Sequence, residues 1–210
     1  AIVEFILGGL FPAATQGAAP ANVGYNPEIT AYVFDPERAK LLLEDAGFES
    51  GFDLTIEVLV GMGPSDSLIY QQAAQDLAAV GIQVDLRTTT YPERTRKYFS
   101  GEWGDVDGFS ILWNNAPYND TGRALRDFSC LKINPFFCDE SMASRIEDSN
   151  REMQPERRAR KLEDIMSDMQ ALAPAINLIE YGSVIGYSNR VRNVQVRPVG
   201  VAYELVELAD

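Results

Sequence analysis

The sequence predicts an α/β protein in which a mixed sheet is flanked by helices. Two segments, residues 52–60 and 82–86, alternate apolar and polar side chains, as strands with one buried face do. Between them, residues 69–80 repeat apolar side chains at helical spacing. A strand, a helix and a strand at this spacing form a βαβ unit, so we expect parallel strands and a right-handed crossover over residues 52–89. We place this unit at the centre of the sheet.

Composition excludes several classes of partner. The 210 residues are 46% hydrophobic and 23% charged, which is ordinary for a globular protein. A formal net charge of -13 argues against nucleic acid or an anionic membrane as a partner, because phosphate binding needs clustered Lys and Arg. No apolar run approaches the roughly 20 residues that span a bilayer. Histidine is absent, which removes the commonest general base and the commonest metal ligand. We therefore expect no metal, no cofactor and no membrane insertion.

The first part of the chain combines a short helix with a long connector. Residues 1–9 predict a helix end stopped by two glycines. A connector over residues 10–34, rich in Ala, Pro and Gly, is long for a loop inside a compact domain, which is typical of a functional or wrapping segment. A helix should follow, because Asp35 can cap it, Pro36 suits its first position and Gly47 supplies the stop.

The second part of the chain predicts mostly helices. Tyr91 opens a short helix, and two longer ones should lie around Ile146 and Leu162. We expect a strand over residues 175–181 and one or two short strands over residues 191–210.

Two cysteines, Cys130 and Cys138, lie close together between the predicted helices. With no further ligand nearby a zinc site is not expected, and this spacing favours a small disulfide loop in an oxidising compartment. Closing so short a loop contributes about 2.5 kcal/mol on the chain-entropy model. The alternative is two unrelated free thiols.

The stretch over residues 104–120 predicts a ligand site. It opens with a Gly-Asp turn, continues as an apolar strand over residues 106–113 and ends in a polar loop. A strand that delivers an aromatic ring and several amides into a loop is how α/β sheets present ligand sites, beyond the strand's carboxyl end. The alternative is a core tryptophan followed by an ordinary Asn/Pro turn. The candidate ligand-binding residues are Trp113, Asn114, Asn115, Tyr118, Asn119 and Asp120.

This stretch resembles a signature of the bacterial extracellular solute-binding proteins of family 5, the oligopeptide, dipeptide and nickel binders of ABC importers. In that family a G-D-[FY]-D strand leads into a G-W-x-x-D-Y-x-[DE]-P loop. The matching positions here are Gly104, Asp105, Val106, Asp107 and Trp113.

Further segments resemble the same family in the same order. They are Y-x-[YF]-D-P-x-x-A-K-x-L-L-x-x-A-G at residues 32–47, A-x-x-L-A-x-V-G-I-x-V at 74–84 and P-E-[KR]-R at 155–158. The resemblance implies a periplasmic-binding-protein-like fold of type II, with residues 1–190 as the second, C-terminal lobe and 191–210 as a tail that returns towards the first lobe. We accordingly expect the chain to be a piece of a longer precursor.

The resemblance also implies a function. The family's proteins are substrate-binding components of ABC importers, so we expect a protein that captures a peptide or another small polar solute outside the cytoplasmic membrane and delivers it to a membrane permease. Its location would be periplasmic or extracellular, with a lipid anchor as a further option. The alternative is a sensory or interaction module that reuses the same fold. Because the resemblance places one wall of a two-lobed cleft in this chain, we expect the chain alone to bind solute weakly or not at all.

Two enzyme motifs fail on their context. Asp105 and Asp107 echo the D-x-D of phosphatases, but that chemistry needs the carboxylates after an apolar strand, and here they precede it. The run GMGPSD over residues 61–66 lacks the third glycine of a dinucleotide-binding loop. There is also no serine in a nucleophile-elbow pattern. We therefore expect a binding protein and not an enzyme.

The chain departs from the family pattern where ligand specificity is set. In peptide-binding relatives an aspartate three residues after the tryptophan pairs with the ligand's amino terminus, and here that position is Ala116. A buried ammonium without a counter-charge is costly, so either Asp120 supplies the charge from a shifted loop or the ligand is not a free peptide amine. The amides of Asn114, Asn115 and Asn119 would suit a sugar, an opine or a capped peptide.

Overall fold

The chain divides into two compact units. The computed structural model describes residues 1–63, 65–113, 115, 119–182, 184–197 and 200–209. Unit 1 comprises Ala1–Ala13 and Ala31–Leu112, and unit 2 comprises Ala14–Thr30 and Trp113–Asp210. The connector predicted over residues 10–34 is therefore shared, and its middle part belongs to unit 2.

Unit 1 is built on a parallel three-stranded sheet. Strand β1 (Phe52–Leu59) lies in the middle, between β2 (Ile82–Thr89) and β3 (Gly108–Phe109). All eight residues of β1 pair in register with β2, and helix α2 (Asp66–Ala78) makes the crossover. The predicted βαβ unit is confirmed. The sheet was predicted to be mixed. Among the described residues this sheet is wholly parallel, and the antiparallel strand pairs lie near the end of the chain.

Strand β3 is much shorter than the strand predicted over residues 106–113. It has two residues, and on either side of it the backbone N–H groups of Asp107 and Ser110 still donate to β1 while side-chain oxygens replace backbone carbonyls as acceptors. The Asp107 carboxylate accepts from the Thr55 N–H (2.8 Å), and the Ser110 hydroxyl oxygen accepts from the Leu59 N–H (3.0 Å). A side-chain oxygen that replaces a carbonyl ends the backbone ladder locally.

The helices of unit 1 begin and end where the sequence predicts. A π-helix covers Ile2–Ile6, α1 covers Pro36–Asp45 and α3 covers Tyr91–Ser100. The Asp35 carboxylate accepts from the Arg38 N–H (2.9 Å), and Gly47 follows α1 with φ +80°. None of the residues of α1 is buried, and Leu42 retains 51% of its accessible surface. Local capping, not burial, therefore defines this helix.

Unit 2 is mainly helical. After the short helix α4 (Gly122–Leu125), helices α5 (Glu140–Arg151) and α6 (Pro155–Leu172) pack against each other. The disulfide predicted between Cys130 and Cys138 is present, with an S–S distance of 1.95 Å, so the free-thiol alternative is wrong. The buried core of the unit consists of Ala18, Ile29, Leu125, Phe128, Met142, Ile146, Leu162, Ile165, Met166 and Met169.

The end of the chain forms two small antiparallel ribbons. Strand β4 (Val191–Arg192) pairs with β7 (Glu207–Leu208), and β5 (Val196–Arg197) pairs with β6 (Gly200–Val201). The strand predicted over residues 175–181 is wrong, because a strand needs a ladder of paired neighbours. Within unit 2, the Leu178 carbonyl of this segment accepts a backbone hydrogen bond from the Ala14 N–H (3.4 Å). A single bond of this kind does not make a strand.

No helix of the described part of the chain has the length and apolar character needed to cross a lipid bilayer.

Candidate ligand-binding site

The candidate ligand loop, residues 113–120, lies in unit 2 against a segment of the connector. That segment, residues 16–25, is called the strap below. The structure describes Trp113, Asn115, Asn119 and Asp120, whereas Asn114 and Tyr118 lie outside the described residues.

Trp113 is half-buried and packs against the core of unit 2. Its indole ring stacks on Phe128, with ring centroids 4.5 Å apart and planes inclined by 21°. A Cβ atom added to Gly17 would lie 2.4 Å from Cδ2 and 2.5 Å from Cε2 of the indole. Because these two atoms form the fused bond of the ring system, Gly17 lies over a face of the indole. The Trp113 Nε1–H is buried and has no hydrogen-bond partner among the described residues.

Asn115 is buried and binds the strap through its amide. Its Nδ2 donates to the Gly17 carbonyl (3.1 Å) and to Oδ1 of Asn22 (3.0 Å). The same Asn22 oxygen accepts from the Ala19 N–H (2.8 Å), and the Asn22 amide nitrogen donates to Oδ1 of Asn119 (2.5 Å). Asn22 therefore links two of the candidate ligand residues.

The loop and the strap also meet through their backbones. The Val23 N–H donates to the Asn119 carbonyl (2.9 Å), and the Thr121 N–H donates to the Val23 carbonyl (3.1 Å). These two bonds form an isolated parallel bridge between Val23 and Asp120. Asn119 has φ +52°, a left-handed conformation that Asn tolerates better than most residues, and its Nδ2 donates to the Ala21 carbonyl (2.5 Å).

Asp120 forms an ion pair within the chain. Its Oδ1 accepts from Arg158 (2.8 Å) and from the Gly122 N–H (2.8 Å), and the two charged side chains are 18% and 23% exposed. Arg158 also donates to the Ser149 carbonyl at the end of α5 (2.8 Å). The carboxylate of Asp120 therefore already has a positively charged partner and two donors.

The described residues of the site carry amides, one carboxylate and an indole N–H as their polar groups. Across the described part of the chain, no three Cys, Asp or Glu side chains gather as a metal site requires. The groups that the described residues carry are of the kind that hydrogen-bond to a polar solute.

A buried charged cluster in unit 1 was missed by the sequence prediction. Alternation along β1 placed Glu57 on the exposed face, yet the residue is 5% exposed. Its carboxylate forms an ion pair with Lys97 and lies 3.7 Å from Nη1 of Arg94. The Arg94 guanidinium lies over the ring of Phe109, 4.4 Å from the centroid, and that ring stacks on Trp103. Burial lowers the pKa of Arg94, and the nearby Glu57 carboxylate opposes this shift.

The cluster is connected to the strand that leads to the ligand loop. Nη2 of Arg94 donates to the Ser110 carbonyl, and the Ser110 N–H donates to the Glu57 carbonyl (2.9 Å). The available sequence signal was an acidic residue in the first predicted strand, followed by two cations three residues apart on a predicted helix.

The chain thus combines the parallel sheet of unit 1 with the mainly helical unit 2, which carries the candidate ligand loop. The model of the bacterial extracellular solute-binding proteins, family 5 (middle region) matches residues 1–133. The chain belongs to this family, as the resemblance in the sequence predicted.

Individual relatives agree with this assignment. Di/tripeptide-binding protein 2 of Pseudomonas aeruginosa (strain UCBPP-PA14) is 34% identical over 103 residues, which cover 43% of this chain and 19% of that protein. Dipeptide-binding protein of Escherichia coli (strain K12) is 30% identical over 123 residues, 52% of this chain and 23% of that protein. The aligned region thus spans about a fifth of the length of these relatives.

Solved structures show the same fold. HbpA2 from Haemophilus parasuis superposes with a TM-score of 0.81 at 24% identity, covering 100% of this chain and 42% of that one. The periplasmic binding protein DppA from Helicobacter pylori, in complex with the peptide STSA, superposes with a TM-score of 0.75 at 18% identity, covering 99% of this chain and 41% of that one. The chain spans about two fifths of these structures, and the α/β, type II periplasmic-binding-protein fold is confirmed.

Proposed function

We propose that this chain is part of the substrate-binding component of an ABC importer, which captures a small polar solute outside the cytoplasmic membrane and delivers it to a membrane permease. The family match over residues 1–133 carries the proposal, because it runs from the first helix through the candidate ligand loop. The relatives are named as binding proteins, which supports a binding role without catalysis. A periplasmic or extracellular location, with or without a lipid anchor, follows from the same function.

We also infer that residues 1–190 belong to the second lobe of a two-lobed receptor, with residues 191–210 as its returning tail. The length of the similar structures supports this, since the chain covers 42% of one and 41% of another. A sensory or interaction role would use the same fold, and no observation favours it.

The proposed ligand site is the loop of residues 113–120, with the six candidate residues named from the sequence. The described side chains refine their roles. The amides of Asn115 and Asn119 and the carboxylate of Asp120 bond within the chain, so they would fix the shape of the loop. The solute would then be bound by the backbone of the loop, in the manner of an added strand if it is a peptide, and by the edge of Trp113.

The same contacts bear on the class of solute. Ala116 stands where peptide-binding relatives carry a carboxylate, and Asp120 is already paired with Arg158. A buried ammonium would therefore lack a counter-charge, which is costly. We infer that the solute presents a neutral polar group at this position, as an opine, a sugar or a capped peptide does.

Acetylation of a dipeptide tests this inference. In titrations of the full-length receptor we expect N-acetyl-dialanine to bind at least as tightly as dialanine, because the loop offers no charge for a free amine. The variant Ala116→Asp should reverse the preference in favour of dialanine by about tenfold, or 1.4 kcal/mol. A natural receptor that prefers dialanine by about tenfold would contradict the neutral-group inference, while leaving binding by the loop intact.

Substitution of Trp113 tests the loop itself. Trp113→Ala removes the ring that packs on Phe128 and Gly17, so we expect affinity for the bound solute to fall by at least about tenfold, or 1.4 kcal/mol. Calorimetric titration of the full-length receptor, well below its melting temperature, measures this. Tyr187→Ala, which removes an aromatic ring that is 59% exposed, is the control and should leave affinity unchanged. Unchanged affinity in Trp113→Ala would mean that the loop is not the site.

A further inference from the structure

The connector that looks featureless in the sequence holds the candidate ligand loop in place. We propose that Asn22 is the positioning residue of this loop and that the strap, residues 16–25, is the element through which it acts. The effect of Asn22 on solute binding rests on the proposed function. The contacts between the strap and the loop do not, because they are part of the structure of unit 2.

Asn22 uses both ends of its amide on the loop. Its Oδ1 accepts from the Asn115 amide (3.0 Å). Its Nδ2 donates to Oδ1 of Asn119 (2.5 Å), which is 97 positions away in the sequence. Its oxygen also accepts from the Ala19 N–H (2.8 Å), which fixes the rotamer from within the strap. One side chain therefore sets the distance between the beginning and the end of the loop.

The strap adds backbone bonds on both sides of Asn22. The Gly17 carbonyl accepts from Asn115 (3.1 Å), and the Ala21 carbonyl accepts from Asn119 (2.5 Å). Val23 bridges to Asn119 and Thr121 through its N–H and its carbonyl. The loop thus bonds to a continuous run of the strap and not to isolated points.

The strap is in turn fixed on helix α6. Gln16 and Asn26 exchange two hydrogen bonds, of 2.8 and 2.9 Å, across the base of the strap. Asn26 donates to the Ser167 hydroxyl (2.9 Å) on α6. Because the strap is anchored, a change at Asn22 alters the loop and leaves the base of the strap in position.

The amide nitrogens of Asn115 and Asn119 are consequently bound by the strap and not free to adapt. Residues that are already held in position lose less entropy when a solute binds. Asn22 would therefore act on affinity without touching the solute.

Hydrogen–deuterium exchange of the 210-residue chain tests the structural half of the proposal. In Asn22→Ala we expect the Val23 and Thr121 amides to exchange about tenfold faster. Both amides donate in the backbone bonds between the strap and the loop, which the Asn22 side chain helps to hold together. Exchange in α6 should not change. Asn22→Asp keeps the acceptor for Ala19 and Asn115 but places a carboxylate oxygen against Oδ1 of Asn119, so it should raise the same exchange rates. Asn189→Ala, an exposed site near the end of the chain, is the control.

Gly17→Ala disturbs the same loop by a second route. The added Cβ would lie 2.4 Å from the Trp113 indole, so the ring must move, and the same amides should exchange faster. Gly186→Ala, where a Cβ meets nothing within 4 Å, is its control. Unchanged exchange at Val23 and Thr121 in Asn22→Ala overturns the proposal.

Solute binding tests the functional half, with dialanine and N-acetyl-dialanine as probes on the full-length receptor. We expect Asn22→Ala to weaken binding of the preferred probe by about tenfold, and Asn22→Asp to weaken it as well. If Trp113→Ala weakens binding and Asn22→Ala does not, the positioning role is wrong and the proposed function stands. If neither variant changes binding, the loop is not the solute site, and the exchange result alone decides the role of the strap.

Discussion

Replacing Glu57 with alanine is expected to lower the free energy of unfolding of unit 1 by about 3 to 5 kcal/mol, because it leaves two buried cations without their partner. The Glu57 side chain is 6% exposed, and those of Arg94 and Lys97 are 9% and 12% exposed. Solvent therefore cannot replace the lost carboxylate. Urea denaturation followed by Trp103 fluorescence, with Trp113→Phe in every sample, measures the change in this unit.

An exposed ion pair provides the control for Glu57. Glu102→Ala removes a carboxylate 3.4 Å from Arg96, and both side chains are more than half exposed. Such pairs contribute about 0 to 1 kcal/mol, so this variant should stay close to the natural chain. A loss in Glu57→Ala no larger than that in Glu102→Ala would mean that water reaches the cluster and that the burial argument is wrong.

Replacing Gly24 with alanine is expected to lower the free energy of unfolding of unit 2 by about 2 to 4 kcal/mol. Gly24 has φ +90°, and an added Cβ would lie 2.4 Å from Oγ1 of Thr121 and 2.6 Å from Cβ of Leu162. Both the backbone conformation and the packing therefore oppose the substitution. Trp113 fluorescence in a Trp103→Phe background follows the unfolding of this unit in urea.

A second glycine separates the two causes. Gly200 lies in the same unit with φ +137°, and a Cβ added there would meet nothing within 4 Å. Gly200→Ala should therefore show only the backbone cost, about 1 to 2 kcal/mol. If Gly24→Ala is no more destabilising than Gly200→Ala, the strap does not pack against Thr121 and Leu162 as closely as the distances indicate.

Local signals in the sequence account for the elements that were predicted correctly. The βαβ unit follows from two periodicities, and α1 follows from Asp35, Pro36 and Gly47, all of which act within a few residues. The disulfide followed from two cysteines eight positions apart. Each of these depends on neighbours along the chain, which a sequence displays directly.

The errors arose where distant neighbours decide. Alternation placed Glu57 in solvent, but Arg94 and Lys97 of α3 pack against its carboxylate and bury it, and nothing within β1 specifies that contact. The strand predicted over residues 106–113 stopped at two residues, because Asp107 and Ser110 bond to β1 through their side chains. Residues 175–181 had strand composition without a ladder to join.

By itself, the sequence determined the α/β class and the family, and it predicted the stretch in which we propose the ligand site. Periodicity, capping residues and a run of motifs in fixed order are sufficient for these, because they are written along the chain. The tertiary structure decided what the loop residues do. Asn115 and Asn119 looked like a rim for a solute, and they bond instead to a strap 93 to 98 positions away in the sequence. No local pattern specifies such a pairing, because it forms only when the core of unit 2 brings the two segments together.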